Sequence, residues 1–264
     1  MRKYAEVIKL YFKAQLAWRA DVFFQMVFTV SKILFAYLLW GIIFEGRETV
    51  AGFTFHGMLS YYIISSFLSQ LDVSAGLAEE ISGRIRNGTF SNFMVLPIGL
   101  QRYFMSMEAG VMAFYLVFDF LAAIVWIFLF GIEFVVTKSV FVAGCAVLII
   151  VLGLLFMLQL NYFLGILTLR YEEISTFLMI KNNLMALITG SIVPLALFPE
   201  GVLNLMRCLP FYYVTYLPSM LLTGQCEGEA LLGVAVLTGW CVVMQIVIKS
   251  TWERYRKAYD GVGI

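Results

Sequence analysis

The chain has 264 residues, 62% of them hydrophobic and only 13% charged, with a mean hydropathy of +0.90. A soluble domain holds roughly 45–50% apolar and about 25% charged residues, and a chain this short cannot hide such a surplus in one core, so lipid has to be part of its solvent. A net charge of +1 gives no reason to expect a nucleic-acid partner, and the distribution of charge has to be read instead.

The first element, residues 1–21, predicts a helix lying in the membrane interface. Tyr4, Val7, Ile8, Tyr11 and Trp18 share one helical face, and Arg2, Glu6, Lys9 and Lys13 share the other. With no compact apolar run and no small-residue cleavage site, this stretch is not read as a signal peptide. A first span follows from about Val22 to Phe44, long enough for a hydrocarbon core of about 30 Å. The second runs from about Phe55 to Leu71 and the third from about Phe104 to Phe130, with a polar connector over residues 72–102 between them. The fourth covers about Val140 to Leu169, a polar stretch covers Arg170 to Asn183, and a fifth span covers about Leu184 to Phe198. The sixth is about Ala230 to Ile248, before a polar tail over residues 249–264. The expected fold is therefore an all-α integral membrane protein of six spans, in one transmembrane domain over residues 1–264.

Orientation follows from the basic residues. Residues 1–21, 72–102, 170–183 and 249–264 hold five, three, two and four of the 18 lysines and arginines, while the opposite loops hold only Arg47, Lys138 and Arg207. Positive charge collects on the cytoplasmic side, which places both termini there and requires an even number of spans. Between the fifth and sixth spans Pro194, Pro199, Pro210 and Pro218 fall in a stretch that stays mostly apolar. Proline breaks helices, and broken helix at membrane depth needs protein or water around it, so residues 199–222 are expected to form short helices re-entering the outer leaflet.

No phosphate loop of the GxxxxGK[ST] type, no GxSxG and no HExxH occurs, so neither nucleotide binding by that loop nor hydrolytic chemistry is expected of this chain. No cofactor is expected on it. Cys145, Cys208, Cys226 and Cys241 lack CxxC spacing, which argues against zinc, although a disulfide between Cys208 and Cys226 remains possible. His56, the lone histidine, has no partner in sequence that suggests metal or catalysis.

The connector carries the most information. Glu79 and Glu80 are expected to begin a short helix that Arg84 and Arg86 end, the order a helix dipole favours. Asn87-Gly88 reads as a left-handed stop, with Thr89 or Ser91 capping a second helix that ends before Pro97. Polar groups also stand within spans: Gln25 and Lys32 in the first, Glu108 and Asp119 in the third, Gln159 and Asn161 in the fourth. At about 2.5–3.5 kcal/mol for an ionised group at a helix centre, such residues either line a pathway or pair between spans, Lys32 with Asp119 being one such pair, or else pack against neighbours or snorkel to the interface.

Taken together, three stretches resemble permease subunits of ABC type-2 exporters, in the branch of ABC-2 family transporter proteins. EEISGRIRNGTFSNFMVLPIG (Glu79–Gly99) is similar to that branch's basic-Gly-Thr corner followed by a Leu-rich segment and Pro. LFPEGVLNLMRCLPFYYVTYLPSMLLTG (Leu197–Gly224) is similar to its Pro-punctuated outer segment, and WERYRKAYDGVGI (Trp252–Ile264) to its basic tail. Asn92-Phe93-Met94 departs from the usual Leu-rich pattern. The resemblance implies two paired permease chains resting on separate ABC ATPase subunits that bind ATP and magnesium. It further implies that Glu79, Glu80, Arg84, Arg86, Asn87, Gly88 and Thr89 form the ATPase-coupling segment, with Tyr171, Glu172 and Glu173 as a second contact. A hydrophobic or amphipathic cargo would move out of the cytoplasm across the plasma membrane, past candidates Gln25, Lys32, Asp119, Gln159 and Asn161. The alternative is a secondary transporter or channel without an ATPase.

Overall fold

The computed structural model describes residues 2–17, 19–50, 52–95, 98–131, 133–188, 195 and 198–257. Within the helices it leaves the side chains at 19–23, 25, 26, 29, 30, 32, 119, 122, 125–127, 129 and 130 undescribed. Gln25, Lys32 and Asp119, and with them the suggested Lys32–Asp119 pair, therefore lie outside the described side chains. Among the described residues every regular element is helical, apart from one isolated bridge between Val50 and Phe53.

The helices are α1 (Arg2–Gln15), α2 (Arg19–Ile43), α3 (Phe55–Leu71), α4 (Ala75–Arg86), α5 (Ser91–Met94), α6 (Leu100–Phe130), α7 (Val140–Ile166), α8 (Ser175–Ile188), α9 (Glu200–Arg207), α10 (Tyr216–Leu222) and α11 (Ala230–Tyr255). Caps fix several starts. Thr54 Oγ1 accepts from Gly57 N at 3.1 Å before α3, and Ser139 Oγ accepts from Val142 N at 3.4 Å before α7. Each side chain satisfies one of the amide donors that the first turn leaves without a carbonyl.

By length and composition, two helical stretches among the described residues are apolar and long enough to cross a membrane: Val140–Leu169 and Glu227–Tyr255. Their outward surfaces are greasy. Val140 is 88% exposed and Phe128 of α6 83%, and Phe28, Phe35, Ile42, Phe141, Leu231 and Ile246 also face outward. So many large exposed apolar side chains on long helices define a surface built for lipid rather than water.

Helix α7 is the central post. Against it pack α11, α4 and α10. Small residues set the approach: a Cβ on Gly233 of α11 would come within 2.6 Å of Leu217 Cδ2 and 2.9 Å of Ile149 Cδ1. One core joins α2, α3, α7, α10 and α11 around Tyr61, Phe156, Tyr212, Tyr213 and Tyr216. A second joins α4, α6, α7 and α11 around Ile81, Phe90, Phe104, Tyr162 and Ile248. Helix α1 lies along α6 so closely that a Cβ on Gly110 would meet Ile8 O at 2.4 Å, and Tyr11 and Tyr103 hydroxyls bond at 3.2 Å.

Several boundaries differ from the sequence expectation. The helix expected to start near Leu184 begins at Ser175, inside the stretch taken as polar, because Lys181 sits on its buried face and is held there by a hydrogen bond. Helix α4 begins at Ala75, so Glu79 and Glu80 fall in its second turn, beyond the turn that the dipole favours most. Neither Thr89 nor Ser91 caps α5, a single turn. Both hydroxyls donate backward instead, Thr89 Oγ1 to Arg84 O and Ser91 Oγ to Gly88 O, closing the end of α4. Helix α11 runs seven residues past Ile248, to Tyr255. The Pro-punctuated segment does form short helices, α9, a 3-10 turn at Pro210–Tyr213, and α10. Cys208 and Cys226 are both free.

Candidate functional site

The α4–α5 corner is built on one apolar stripe. Leu77, Ala78, Ile81, Ser82 and Ile85 are buried, a spacing that lines a single helix face. That face seats on α7 at Gly165, whose absent side chain leaves room for Ile81. A Cβ there would lie 2.9 Å from Ile81 Cβ and 3.3 Å from Ala78 Cα. The stop after Arg86 is formed by Asn87 N donating to Gly83 O and Gly88 N to Ile85 O, with Gly88 at φ +71°, a conformation that only glycine adopts without strain.

Arg84 holds the corner together. Its Nη2 lies 2.6 Å from Glu80 Oε1, and its guanidinium sits 4.6 Å over the Phe93 ring of α5. Glu80 and Arg84 are thus engaged within the chain, one turn apart, a pairing worth about 0.3–0.5 kcal/mol at a helix surface. Glu79, Arg86, Asn87 and Thr89 remain on the exposed side.

The second predicted stretch comes to the same place. Arg86 Nη1 lies 3.4 Å from Glu173 Oε2 across 87 positions of sequence. Ser175 N donates to Glu173 Oε1 at 3.0 Å, and that bond is the chief reason the Glu173 carboxyl is held below its usual range. Tyr171 and Glu172 are exposed beside it, with the Tyr171 ring tilted against Phe177. Glu79, Ser82, Arg86, Glu173, Ser175 and Asn182 line a shared groove of about 590 Å³. One wall is α4, and the rest is the link through Glu173 and Ile174 with the first turns of α8.

Behind this corner runs a buried polar chain. Ser74 Oγ donates to Asp72, Asn161 Nδ2 donates to Ser74 Oγ at 2.8 Å, and Lys181 Nζ donates to Asn161 Oδ1 at 3.0 Å. Asn161, Ser74 and Lys181 are all buried, and burial pushes the Asp72 carboxyl up against the opposing effect of Ser74. Asn161 is thereby a bracket between the α3–α4 link, α7 and α8. Gln159 instead meets Gln245 of α11 at 3.2 Å, which in turn pairs with Gln101. Sequence reasoning singled out Asn161 and Gln159 but missed Ser74, Lys181, Gln101 and Gln245. Only the polar residues within long apolar helices hinted that partners existed.

Among the described residues no group of three or more His, Cys, Asp or Glu is arranged to hold a metal ion. None of the curated proteins compared matches the chain. The comparison with protein families is positive over nearly the whole length, matching residues 30–263 to the ABC-2 family transporter proteins. Long lipid-facing helices packed around a central post, and a match that includes the corner, the Pro-punctuated segment and most of the tail, lead to one conclusion: the chain belongs to the ABC-2 family transporter proteins, the membrane permease component of ABC-type transporters.

Proposed function

We propose that this permease crosses the plasma membrane six times with both termini in the cytoplasm, and exports a hydrophobic or amphipathic cargo. Separate ATP-hydrolysing subunits, carrying ATP and magnesium, supply the drive. A second permease chain, identical or related, completes the pathway, and residues 199–222 re-enter the outer leaflet. The observation that carries this reading is the Arg86–Glu173 contact. It joins the two stretches expected to receive an ATPase into one exposed, mixed-charge groove.

The corner is also suited to transmit force. Its buried face is keyed to Gly165 near the end of a helix long enough to span the membrane, so a push on α4 reaches α7 without slack. Packed interfaces of this density shift as units rather than deforming gradually. Family membership supports this ATP-driven reading over a secondary transporter or channel.

The test uses this chain co-expressed with candidate ATPases and purified in mild detergent. Glu79→Arg, which changes an exposed groove charge, is expected to leave membrane insertion intact and to cut transport per ATP hydrolysed several-fold. Absence of any co-purifying ATPase, together with ATPase activity unchanged by this chain, would refute the proposal. Full transport by the Glu79→Arg variant would show that the contact lies elsewhere.

A further inference from the structure

A second cavity, of about 610 Å³, opens where α1, the end of α3, the start of α4 and α6 meet. Its walls include the carboxyls of Asp72, Glu80 and Glu108, the rings of Tyr11 and Tyr115 and, among the described residues, no lysine or arginine. Two of the acids are engaged: Glu80 by Arg84, and Asp72 by Ser74. Glu108 is different. It is 94% buried by its 6% exposure, lines this cavity, and makes no hydrogen bond or ion pair with any described residue. A carboxyl withdrawn from water without a partner costs several kcal/mol in general, and such a group in a membrane protein marks a ligand or pathway.

The geometry points to a binding site for a bulky organic cation, an ammonium-bearing amphiphile, with Glu108 as its counter-ion. The acids are spread around the cavity rather than gathered, and they form no metal-holding group, so a small metal ion does not fit the arrangement. The volume lies within the roughly 300–1,000 Å³ typical of small-molecule sites. Tyr11 and Tyr115 place aromatic rings in the wall beside a cation, and Met107 and Val111 of α6 offer apolar contact for a hydrocarbon tail. This inference rests on the permease reading for the cavity's place at the cytoplasmic side, and it narrows the cargo from hydrophobic to cationic. The same ammonium could arrive on a free organic cation or on a lipid headgroup.

The test is equilibrium binding of radiolabelled tetraphenylphosphonium to the full chain purified in an uncharged maltoside detergent. We expect saturable binding displaced by dodecyltrimethylammonium. Glu108→Gln is expected to weaken binding about tenfold or more, the scale of losing one partner of a buried charge pair. Glu108→Asp, which keeps the charge, should retain most of it and serves if the glutamine variant does not fold. In lipid nanodiscs, displacement of the probe by phosphatidylethanolamine or phosphatidylcholine but not by phosphatidylglycerol, which carries no ammonium, would keep the site and assign its ammonium to a lipid. Equal affinity in Glu108→Gln, or equal displacement by a neutral amphiphile of the same chain length, overturns the proposal. No ATPase is present in this assay, so its failure leaves the coupling reading untouched.

Discussion

Adding a single methyl group at Gly165 should loosen the α4–α5 corner from α7. In Gly165→Ala the new Cβ would stand 2.9 Å from Ile81 Cβ, 3.1 Å from Ile81 Cγ2 and 3.3 Å from Ala78 Cα. Ordinary carbon contacts lie at about 3.5–4.0 Å, so α4 has to retreat by roughly half an ångström to one ångström. Two effects compete. Overpacking a tight contact costs about 1–3 kcal/mol. Replacing glycine in a helix interior returns up to about 1 kcal/mol. The net loss is centred near about 1 kcal/mol, and since every 1.4 kcal/mol is a factor of ten, local opening of α4 should rise roughly five- to tenfold. Hydrogen exchange in detergent is the assay. Amides of Leu77–Ile85 should exchange faster by that factor, while those in the first half of α7 do not change. Gly144→Ala is the control. It adds the same methyl group to the same helix with nothing within 4 Å, so it should leave the corner's exchange unaltered. If Gly165→Ala and Gly144→Ala give the same exchange pattern, the keyed contact is not what seats α4.

Two further predictions concern the buried polar chain. Lys181→Met keeps the length of the side chain but leaves Asn161 Oδ1 without its donor, which should lower apparent stability by about 1–3 kcal/mol, read as a drop in Tm in detergent. An unchanged Tm would mean that the bond contributes nothing. Asp72 is the pH-sensitive member. Its folded-state pKa is raised by burial, so its effect on stability is most favourable below the ordinary carboxylate range and is lost as pH rises through the raised value. Asp72→Asn should therefore raise Tm at neutral pH and flatten its pH dependence above the usual carboxylate range. A Tm that falls at pH 7 in this variant would show that the ionised carboxylate, with Lys181 nearby, is the stabilising form.

Much of this architecture was legible in the chain. Apolar runs of membrane length located α2, α3, α6, α7 and α11, and α3 begins and ends at the residues the hydropathy suggested, because lipid selects composition locally along each helix. Proline punctuation located the short helices from α9 to α10, and Asn87-Gly88 located the stop after α4, because both act on the backbone within one turn. The sequence failed where a polar residue's meaning depended on a distant one. Lys181 counted toward a polar stretch over Arg170 to Asn183, which displaced the start of α8 by nine residues, while its true neighbour was Asn161 on α7. Glu79 and Glu80 read alike, but tertiary packing exposed one and gave the other to Arg84.

The chain alone thus determined an all-helical membrane protein, its main breaks, and two separate stretches of mixed charge. Only the folded structure decided that Arg86 meets Glu173, that α4 rests on Gly165, and that Glu108 lines a cavity with no partner among the described residues. The physical reason is that hydropathy and turn chemistry act over a few neighbouring residues. Lipid-facing and protein-facing surfaces are equally apolar in such a chain, so periodicity cannot say which helix faces meet. Pairings between groups 87 residues apart exist only once those faces have packed.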